Sequence, residues 1–197
     1  DWYVFDDVYS KLLNKEYVEL YQLKLKRSSS LEKRFHLNKT ASNETAYNKA
    51  LEAEKDIIVS HTALHQNVEI ADAIFWDETT LYLMHNKGIF NGVNARDLLN
   101  QLLTAAEYLQ KNRNINGPIF IADYYSQICK VHKLKKMPQI SEQEFIQLFN
   151  EKKICFIAGY LNGYKKGSKS VYAKYLTIEE NKKLSDKGYE YIPLGIN

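Results

Sequence analysis

The sequence is poor in cysteine and has no long apolar segment. Its two cysteines, Cys129 and Cys155, are too few for a disulfide framework and form no CxxC pair, so we expect free thiols in the cytoplasm. No apolar run approaches the roughly 20 residues that cross a bilayer, and no signal peptide is recognisable. A secreted, disulfide-stabilised or membrane-spanning protein is therefore not expected. Because the chain begins at Asp1 and not at methionine, we expect it to be part of a longer polypeptide.

Several common catalytic motifs are also missing. The sequence contains neither a GxxxxGK[ST] phosphate-binding loop nor a GxSxG nucleophile motif. His61 and His65 lie four residues apart, but the segment HTALH lacks the glutamate of an HExxH zinc site. A surface or capping role is the interpretation for both histidines.

The composition is that of an ordinary globular protein of one domain. Apolar residues make up 45% of the 197 residues and charged residues 26%, which is enough for a sizeable core. The net charge of +3 is mildly basic, so it permits a nucleic-acid partner without requiring one.

Two apolar runs between Val68 and Phe90 predict a β-hairpin. They are separated by the polar residues 77–80, a loop length typical of hairpins. If Trp76 pairs with Leu81, the register is set along both strands, because the numbers of paired residues then have a constant sum. The hairpin is the element around which the rest of the prediction is built.

This register places Asp72, His85 and Lys87 on one face of the hairpin. The same face carries apolar residues, and three polar groups among aliphatic side chains are costly unless they satisfy one another or bind an ion. One interpretation is a structural ion pair between Asp72 and Lys87. The other is a metal-dependent hydrolytic site.

A helix over 40–59 is predicted before the hairpin, with Ser42 or Asn43 as its N-cap. Glu44 and Asn48 lie one turn apart on it. Glu44 is either an exposed glutamate of the first helical turn or a carboxylate that reaches the same cavity as Asp72.

The remaining elements alternate and predict an α/β fold, a sheet with helices packed on its faces. An apolar stripe predicts a helix over 94–111 that carries Gln101. Gly117 and Pro118 then open an apolar run predicted to be a parallel strand. Further predictions are a helix over 142–152, a strand over 154–161, a helix capped by Thr177 and a strand over 189–194.

Three lysine-rich segments are candidates for phosphate contacts, and a solvated surface is the alternative for each. The segment 23–34 is predicted to be an exposed basic loop, and 164–175 a loop in which tyrosines could stack on bases. The candidate nucleic-acid-binding residues are Lys24, Lys26, Arg27, Lys133, Lys135, Lys136, Lys165, Lys166 and Lys169.

The order of these residues resembles the PD-(D/E)XK nuclease superfamily. The matching positions are Glu44 on a helix, Asp72 on a strand, the sequence His85-Asn86-Lys87 on the next strand, and Gln101 on the following helix. The resemblance implies a restriction-endonuclease-like αβββαβ core at 41–125. An N-terminal extension, 1–40, would pack on that core, and 126–197 would be a C-terminal α/β extension of the same domain.

The chain is also similar to the C-terminal part of a bacterial family of unknown function with a sporadic distribution. The similarity is carried by Trp2-Tyr3, Glu44, Tyr47-Asn48, residues 68–72, residues 83–87, Leu99, Gln101, Gly188-Tyr189, Leu194 and Ile196. Such a patchy distribution implies a role in antiviral defence or restriction.

The resemblance implies a nuclease dependent on Mg²⁺ or Mn²⁺ that hydrolyses phosphodiester bonds of nucleic acid, with DNA favoured. Asp72, Glu44, His85 and the backbone carbonyl of Asn86 would hold the metal. Lys87 would orient the attacking water, with Gln101 and Asn48 in support.

The sequence departs from the superfamily pattern at two positions. His85 stands where the superfamily has glutamate, and residue 105 is alanine where RecB-type members have tyrosine. A catalytically inactive nucleic-acid-binding relative and an interaction domain therefore stay open as alternatives, and so does a homodimer.

Overall fold

The computed structural model describes residues 6–36, 43–54, 56–132 and 140–196. It is an α/β structure in which helices flank a mixed five-stranded sheet, as predicted. The helices are α1 (Asp7–Phe35), α2 (Glu44–Leu51), α3 (Gly92–Val131), α4 (Glu142–Glu151) and α5 (Val171–Asp186). The strands are β1 (Ile58–Val59), β2 (Leu64–His65), β3 (Val68–Glu69), β4 (Ala73–Trp76), β5 (Thr80–Ile89), β6 (Lys153–Asn162) and β7 (Glu190–Gly195).

The strand order in the sheet is β1-β4-β5-β6-β7, and β2 and β3 form a separate small hairpin. The first three strands of the sheet are antiparallel neighbours, whereas β5, β6 and β7 run parallel. The carboxyl ends of β5, β6 and β7 therefore meet at one end of the sheet. Strands from the predicted C-terminal extension thus belong to the same sheet as the predicted hairpin.

The hairpin of β4 and β5 has the predicted register. Trp76 pairs with Leu81 and Ile74 with Leu83. The side chain of Asp77 closes the loop by accepting hydrogen bonds from the backbone N–H groups of Thr79 (2.9 Å) and Thr80 (2.8 Å). Alternation along these strands sends successive side chains to two different cores.

One core lies between the sheet and helices α3, α4 and α5, and the other lies on the side of α2 and the end of α1. Leu81 and Leu83 belong to the first core, and Tyr82 and Met84 to the second. Because β5 and β6 are covered on both faces, their sequences read as nearly continuous apolar runs.

Helix α1 continues through the segment 23–34, so the predicted basic loop is wrong. The hydroxyls of Ser28, Ser29 and Ser30 donate to backbone carbonyls three residues earlier, at 3.2, 3.2 and 2.9 Å. The serines are thus satisfied within the helix. Ser28 is itself buried, and Phe35 packs into the core on the side of α2, so the end of the helix is held by tertiary contacts.

Helix α1 also lies along β7, an outer strand of the sheet. Arg27 forms an ion pair with Glu190 and donates to the hydroxyl of Tyr82 at 3.0 Å. The Nδ1 atom of His36 donates to the carbonyl oxygen of Ile196 at 2.9 Å. The partly exposed guanidinium of Arg27 therefore has intramolecular partners, and its predicted phosphate contact stays a prediction.

The predicted strand after Gly117 is also wrong, because this segment is the second half of α3. Gly117 has a φ of +36° and interrupts the helix, which resumes at Pro118. Proline is favoured in the first turn of a helix, since the N–H that it lacks needs no partner there. The strand parallel to β5 is β6 instead.

Two other helix boundaries differ from the prediction. Helix α2 ends at Leu51, and Ile58 and Val59 form β1, so one helix does not cover 40–59. Helix α5 is capped by Ser170 and not by Thr177, whose hydroxyl donates to Ala173 inside the helix at 3.0 Å. The N-cap of α5 therefore lies seven residues before the predicted one, at another residue type that is favoured in this position.

Several local predictions are confirmed. Asn43 is the N-cap of α2, and Ser141 and Glu144 form the predicted capping box of α4. The predicted strands over 154–161 and 189–194 are β6 and β7. Within the described part of the chain, no helix combines the length and the apolar character needed to cross a bilayer.

Candidate functional site

A group of polar side chains lies at the end of the sheet where β5 finishes and β4 begins. Asp72 directly precedes β4, and its backbone N–H donates to the carbonyl of Met84 at 2.8 Å. His85 and Lys87 follow on β5. The antiparallel pairing therefore brings the predicted site residues of the two strands together, as the register required.

Asp72 is held as a buried carboxylate with several donors. Its side chain is only 2% exposed. The Oδ1 atom lies 2.8 Å from Nδ1 of His61, and Oδ2 accepts a hydrogen bond of 2.7 Å from the backbone N–H of Asn86. Burial acts to raise the pKa of Asp72, but these hydrogen bonds and the neighbouring histidines outweigh it and leave the pKa below its usual value.

His85 is fully buried beside this carboxylate, and one of its nitrogens lacks a partner. Its Nε2 donates to the carbonyl oxygen of Ile70 at 3.1 Å. Its Nδ1 lies 3.9 Å from Oδ2 of Asp72 and has no hydrogen-bond partner among the described residues. An imidazole anchored through one nitrogen to a carbonyl, with the other nitrogen free, is the usual arrangement of a metal-binding histidine.

Helix α2 contributes Glu44, whose carboxylate faces Lys87. Both oxygens of Glu44 lie 3.3 Å from Nζ of Lys87. Burial raises the pKa of Glu44, Lys87 opposes that shift, and the negative charge of Asp72 adds to it. Glu44 is thus close enough to interact electrostatically with both Lys87 and Asp72, and it is not simply an exposed residue of the first helical turn.

A pair of buried amides ties α2 to β5. The side-chain nitrogen of Asn86 donates to Oδ1 of Asn48 at 2.8 Å. Gly159 on β6 leaves room for this pair, because a Cβ atom there would lie 2.4 Å from Oδ1 of Asn86. Asn48 therefore supports the site through Asn86. The predicted metal contact of the Asn86 carbonyl stays a prediction.

Two further residues of the cluster, His61 and Glu69, were missed in the sequence analysis. The Nδ1 atom of His61 lies 3.4 Å from Oε1 of Glu69 and 2.8 Å from Oδ1 of Asp72. The ligand atoms of these three residues all lie within 4.8 Å of one another. We refer to His61, Glu69, Asp72 and His85 as the acid-histidine cluster.

The local turn explains why Glu69 reaches the cluster. Gln66 and Asn67 both have positive φ angles (49° and 65°), which form the tight turn between β2 and β3. Because β3 ends at Glu69 and β4 begins only at Ala73, strict alternation does not run from Glu69 to Asp72. Along one continuous strand, alternation would place Glu69 and Asp72 on opposite faces, and on that basis no metal contact is predicted for Glu69 unless a bulge intervenes. The break between β3 and β4 removes this alternation.

His61 and His65 have different surroundings, although both were given a surface or capping role. His61 contacts Asp72, and that hydrogen bond, which outweighs the effect of burial, raises the pKa of His61. His65 instead lies 2.6 Å from the hydroxyl of Tyr108 and packs edge-on against Phe120. Of the two, only His61 belongs to the cluster.

No family model matches the chain, and no curated protein or solved structure is significantly similar to it.

The other predicted site residues are not part of the cluster. The Oε1 atom of Gln101 is buried without a hydrogen-bond partner among the described residues, so no contact supports its predicted role beside Lys87. Lys165, Lys166 and Lys169 are exposed on the loop between β6 and α5. The candidates Lys133, Lys135 and Lys136, together with Trp2 and Tyr3, lie outside the described residues.

Three members of the acid-histidine cluster, His61, Glu69 and Asp72, could hold a metal ion. Ligand atoms that share one ion at about 2.1 Å lie roughly 3 to 3.5 Å from each other. The separations of 2.8 and 3.4 Å around His61 are close to that spacing. The ionised Asp72 is a suitable donor for a cation, so these three residues fit a divalent cation, and the free Nδ1 of His85 lies 3.9 Å from Oδ2 of Asp72.

Proposed function

We propose that this protein is a metal-dependent nuclease domain that hydrolyses phosphodiester bonds, with DNA as the favoured substrate. The observation that carries the proposal is the meeting of the acid-histidine cluster with the Glu44–Lys87 ion pair at one end of the sheet. A role in bacterial defence or restriction follows from the resemblance described above.

The order of elements supports a restriction-endonuclease-like assignment of the fold. Helix α2 is followed by β1, β4 and β5, then by α3 and, after α4, by β6. If α4 is taken as an addition, this order corresponds to αβββαβ, with three antiparallel strands and a fourth strand parallel to the third. The hairpin of β2 and β3 is an insertion between the first two core strands, and it carries Glu69 into the site.

The donor set favours Mn²⁺ over Mg²⁺ as the cation. Mg²⁺ prefers an octahedral shell of oxygens, whereas imidazole nitrogens suit transition metals. Two histidines, His61 and His85, border the carboxylate of Asp72. A bound divalent cation would supply charge stabilisation at the phosphate and a more acidic water at neutral pH.

The side chains of the chain itself would position the reacting groups. Hydrolysis requires a water oxygen to attack phosphorus while the bond from phosphorus to the leaving oxygen breaks, and negative charge accumulates on the phosphate. The ammonium group of Lys87, held by Glu44 at 3.3 Å, would orient this water and stabilise that charge. Asn86 holds Asp72 through its backbone and Asn48 through its side chain, which fixes the carboxylate relative to α2.

The test combines metal binding with cleavage. Mn²⁺ binding is followed by electron paramagnetic resonance, and cleavage is followed on supercoiled plasmid and on single-stranded DNA and RNA, with Mn²⁺ or Mg²⁺. We expect His61→Gln and Glu69→Gln to weaken Mn²⁺ binding by about 10-fold or more, and Lys87→Met to abolish cleavage while Mn²⁺ still binds.

His65→Gln and Lys182→Met are the matched controls, because His65 packs against Phe120 and Lys182 is exposed. Both should bind Mn²⁺ and cleave as the wild type does. Cleavage that persists in Lys87→Met would identify a contaminant. Binding of nucleic acid without cleavage by the wild type would favour the inactive relative, and the absence of both would favour an interaction domain.

A further inference from the structure

A second polar site lies at the opposite edge of the sheet from β4 and shares no residue with the acid-histidine cluster. It is a cavity of about 410 Å³ at the carboxyl end of β7, bordered on one side by α1. Its lining residues are Tyr21, Glu32, Lys33, His36, Tyr164, Gly195 and Ile196. We call it the α1–β7 cavity. A volume of this size is within the usual range of small-molecule sites.

The register of the sheet fixes the distance from this cavity to Lys87, which lies on the same strand as His85 of the acid-histidine cluster. Lys87 on β5 pairs with Tyr160 on β6, and Tyr160 pairs with Gly195 on β7. The three residues therefore form one row across the parallel strands. Because neighbouring strands lie about 4.8 Å apart, the backbone of Gly195 is about 10 Å from that of Lys87. A nucleic-acid strand crossing the end of the sheet could contact both places at once.

The two sites are also joined through α2. The hydroxyl of Tyr47 donates to the carbonyl of Phe35 at 3.0 Å, next to His36 in the cavity wall. The neighbouring residue on α2, Asn48, binds Asn86 beside the cluster. The cavity wall and the residues that orient Asp72 are thus held by the same short helix.

The walls of the cavity suit a nucleobase better than a phosphate group. Tyr21 is half-buried and provides the aromatic surface, and its ring is backed by the buried ring of Tyr164 with a centroid separation of 5.5 Å. Aromatic rings stack on bases of any sequence. Glu32 is partly buried, and burial raises the pKa of its carboxyl group, partly offset by the backbone N–H of Gly195. A carboxylate repels phosphate but accepts hydrogen bonds from the amino groups of bases.

Phosphate contacts are available at the rim instead. Lys33 is exposed on α1. The loop that carries Lys165 and Lys166 lies against the same helix, because the hydroxyl of Tyr17 donates to the carbonyl of Lys165 at 3.0 Å. The interior of the cavity is therefore aromatic and acidic, which suits a base, whereas its rim is basic, which suits the phosphates.

We infer that the α1–β7 cavity receives one unpaired base of the nucleic-acid substrate and prefers bases that carry an amino group over thymine. The inference rests on the proposed function for the identity of the ligand, but not on catalysis. Tyr21, supported from behind by Tyr164, contacts the base, and Glu32 accepts a hydrogen bond from the amino group of the base. Lys33, Lys165 and Lys166 contact the flanking phosphates.

The experiment measures binding without cleavage. Fluorescein-labelled dC12, dT12 and a 12-base-pair duplex are titrated with the full chain in EDTA, and fluorescence anisotropy gives the affinities. We expect dC12 to bind about 10-fold more tightly than dT12. Tyr21→Leu should weaken both single strands about 10-fold, and Glu32→Gln should remove the preference for dC12.

Tyr9→Leu and Asp7→Asn are the controls, since both residues lie in the first turn of α1, at least 12 residues before Tyr21, and are exposed. Neither change should alter the affinities, and thermal melting checks that every variant is folded. Equal affinity for dC12 and dT12, or duplex binding as tight as that of dC12, would overturn the inference.

Cleavage assays with Mn²⁺ on the same oligonucleotides keep the two proposals apart. A wild-type protein that prefers dC12 but does not cleave supports the base site and contradicts the nuclease proposal. A protein that cleaves but shows no effect of Tyr21→Leu and Glu32→Gln supports the nuclease proposal and overturns the base site.

Discussion

Two buried carboxyl groups in this protein differ in their ionisation at neutral pH. Asp72 at the end of the sheet is 2% exposed, and Glu180 on α5 is fully buried. The pKa of Asp72 is held below its usual value, whereas burial raises the pKa of Glu180 to about 8. At neutral pH the first is ionised and the second is mostly neutral.

The difference lies in the donors around each group. Asp72 receives a backbone N–H from Asn86 and faces His61. Glu180 has one donor, the hydroxyl of Tyr191, and its Oε1 has no hydrogen-bond partner among the described residues. Although both carboxyl groups are buried to a similar degree, Asp72 is ionised and suited to bind a cation, whereas Glu180 is a neutral core residue.

Removing the charge of Asp72 should have the largest effect. Asp72→Asn keeps the shape of the side chain but removes the charge that would attract a cation. We expect Mn²⁺ binding and DNA cleavage to fall by more than about 100-fold. Mn²⁺ titration followed by electron paramagnetic resonance and a plasmid-nicking assay measure the two effects.

Glu180→Gln, the equivalent change at the second carboxylate, should leave both properties intact. Asp123→Asn, a change on the exposed side of α3, is a further control for the loss of one negative charge. Loss of Mn²⁺ binding in Glu180→Gln would mean that the two carboxylates are not functionally separate.

The same Glu180→Gln variant should change how stability depends on pH. The pKa of Glu180 rises from 4.5 in the unfolded chain to about 8 in the folded protein. The folded state then binds the proton more tightly, so stability from this group is complete below pH 4.5 and is lost as the pH rises through 8. Urea unfolding at pH 5 and pH 9 should show a variant stabilised, relative to wild type, by a few kcal/mol only at pH 9.

Asp72 should show the reverse dependence. Its folded pKa lies below the unfolded value of 3.8, so its contribution is present above that pH and is lost as the pH falls below it. In the absence of metal, Asp72→Asn should destabilise the protein at pH 7 and progressively less toward pH 2. A destabilisation that persists at pH 2 would attribute the effect to packing and not to charge.

Gly159→Ala should produce an intermediate effect confined to the site. The new Cβ atom would meet Oδ1 of Asn86 at 2.4 Å, so Asn86 must move away from Asn48. We expect a loss of about 1 to 3 kcal/mol in the free energy of unfolding and a decrease in cleavage. Gly167→Ala is the control, because its Cβ would have no neighbour within 4 Å.

Removal of a helix cap should give the smallest effect and should separate the two regions again. Asn43 caps α2, which carries Glu44, and Ser170 caps α5, which carries Glu180. Asn43→Ala and Ser170→Ala should each cost about 1 kcal/mol of stability by thermal unfolding. At a temperature where both variants remain folded, only Asn43→Ala should also reduce cleavage; equal reductions would contradict a special role for α2.

The sequence was sufficient to predict the hairpin and its register. A period of two and a short polar loop determine which residues are paired, so the meeting of Asp72 with His85 followed from the pairing of Trp76 with Leu81. The approach of Glu44 to this site was one of two interpretations of its position in the first turn of α2, and its contact with Lys87 was not predicted. The predicted part of the site depends on regular elements with clear local signals.

The positions of His61 and Glu69 in the site could not be predicted from the sequence in the same way. It depends on positive φ angles at Thr62, Gln66 and Asn67, none of which is glycine. Of these, only Asn67 is a residue type that favours such a conformation, and it was the one available signal for the turn. The serines of α1 misled the prediction for a related reason, since their hydroxyls can satisfy either a loop or a helix.

The position of α1 along β7 has a consequence for self-association. An outermost strand exposes backbone groups that can pair with a strand of another molecule. Here His36 donates a hydrogen bond to the carbonyl of Ile196, directly after β7, and Arg27 forms an ion pair with Glu190 on β7. A chain shortened to begin after α1 would lose this protection, and its β7 would become a template for intermolecular pairing and aggregation.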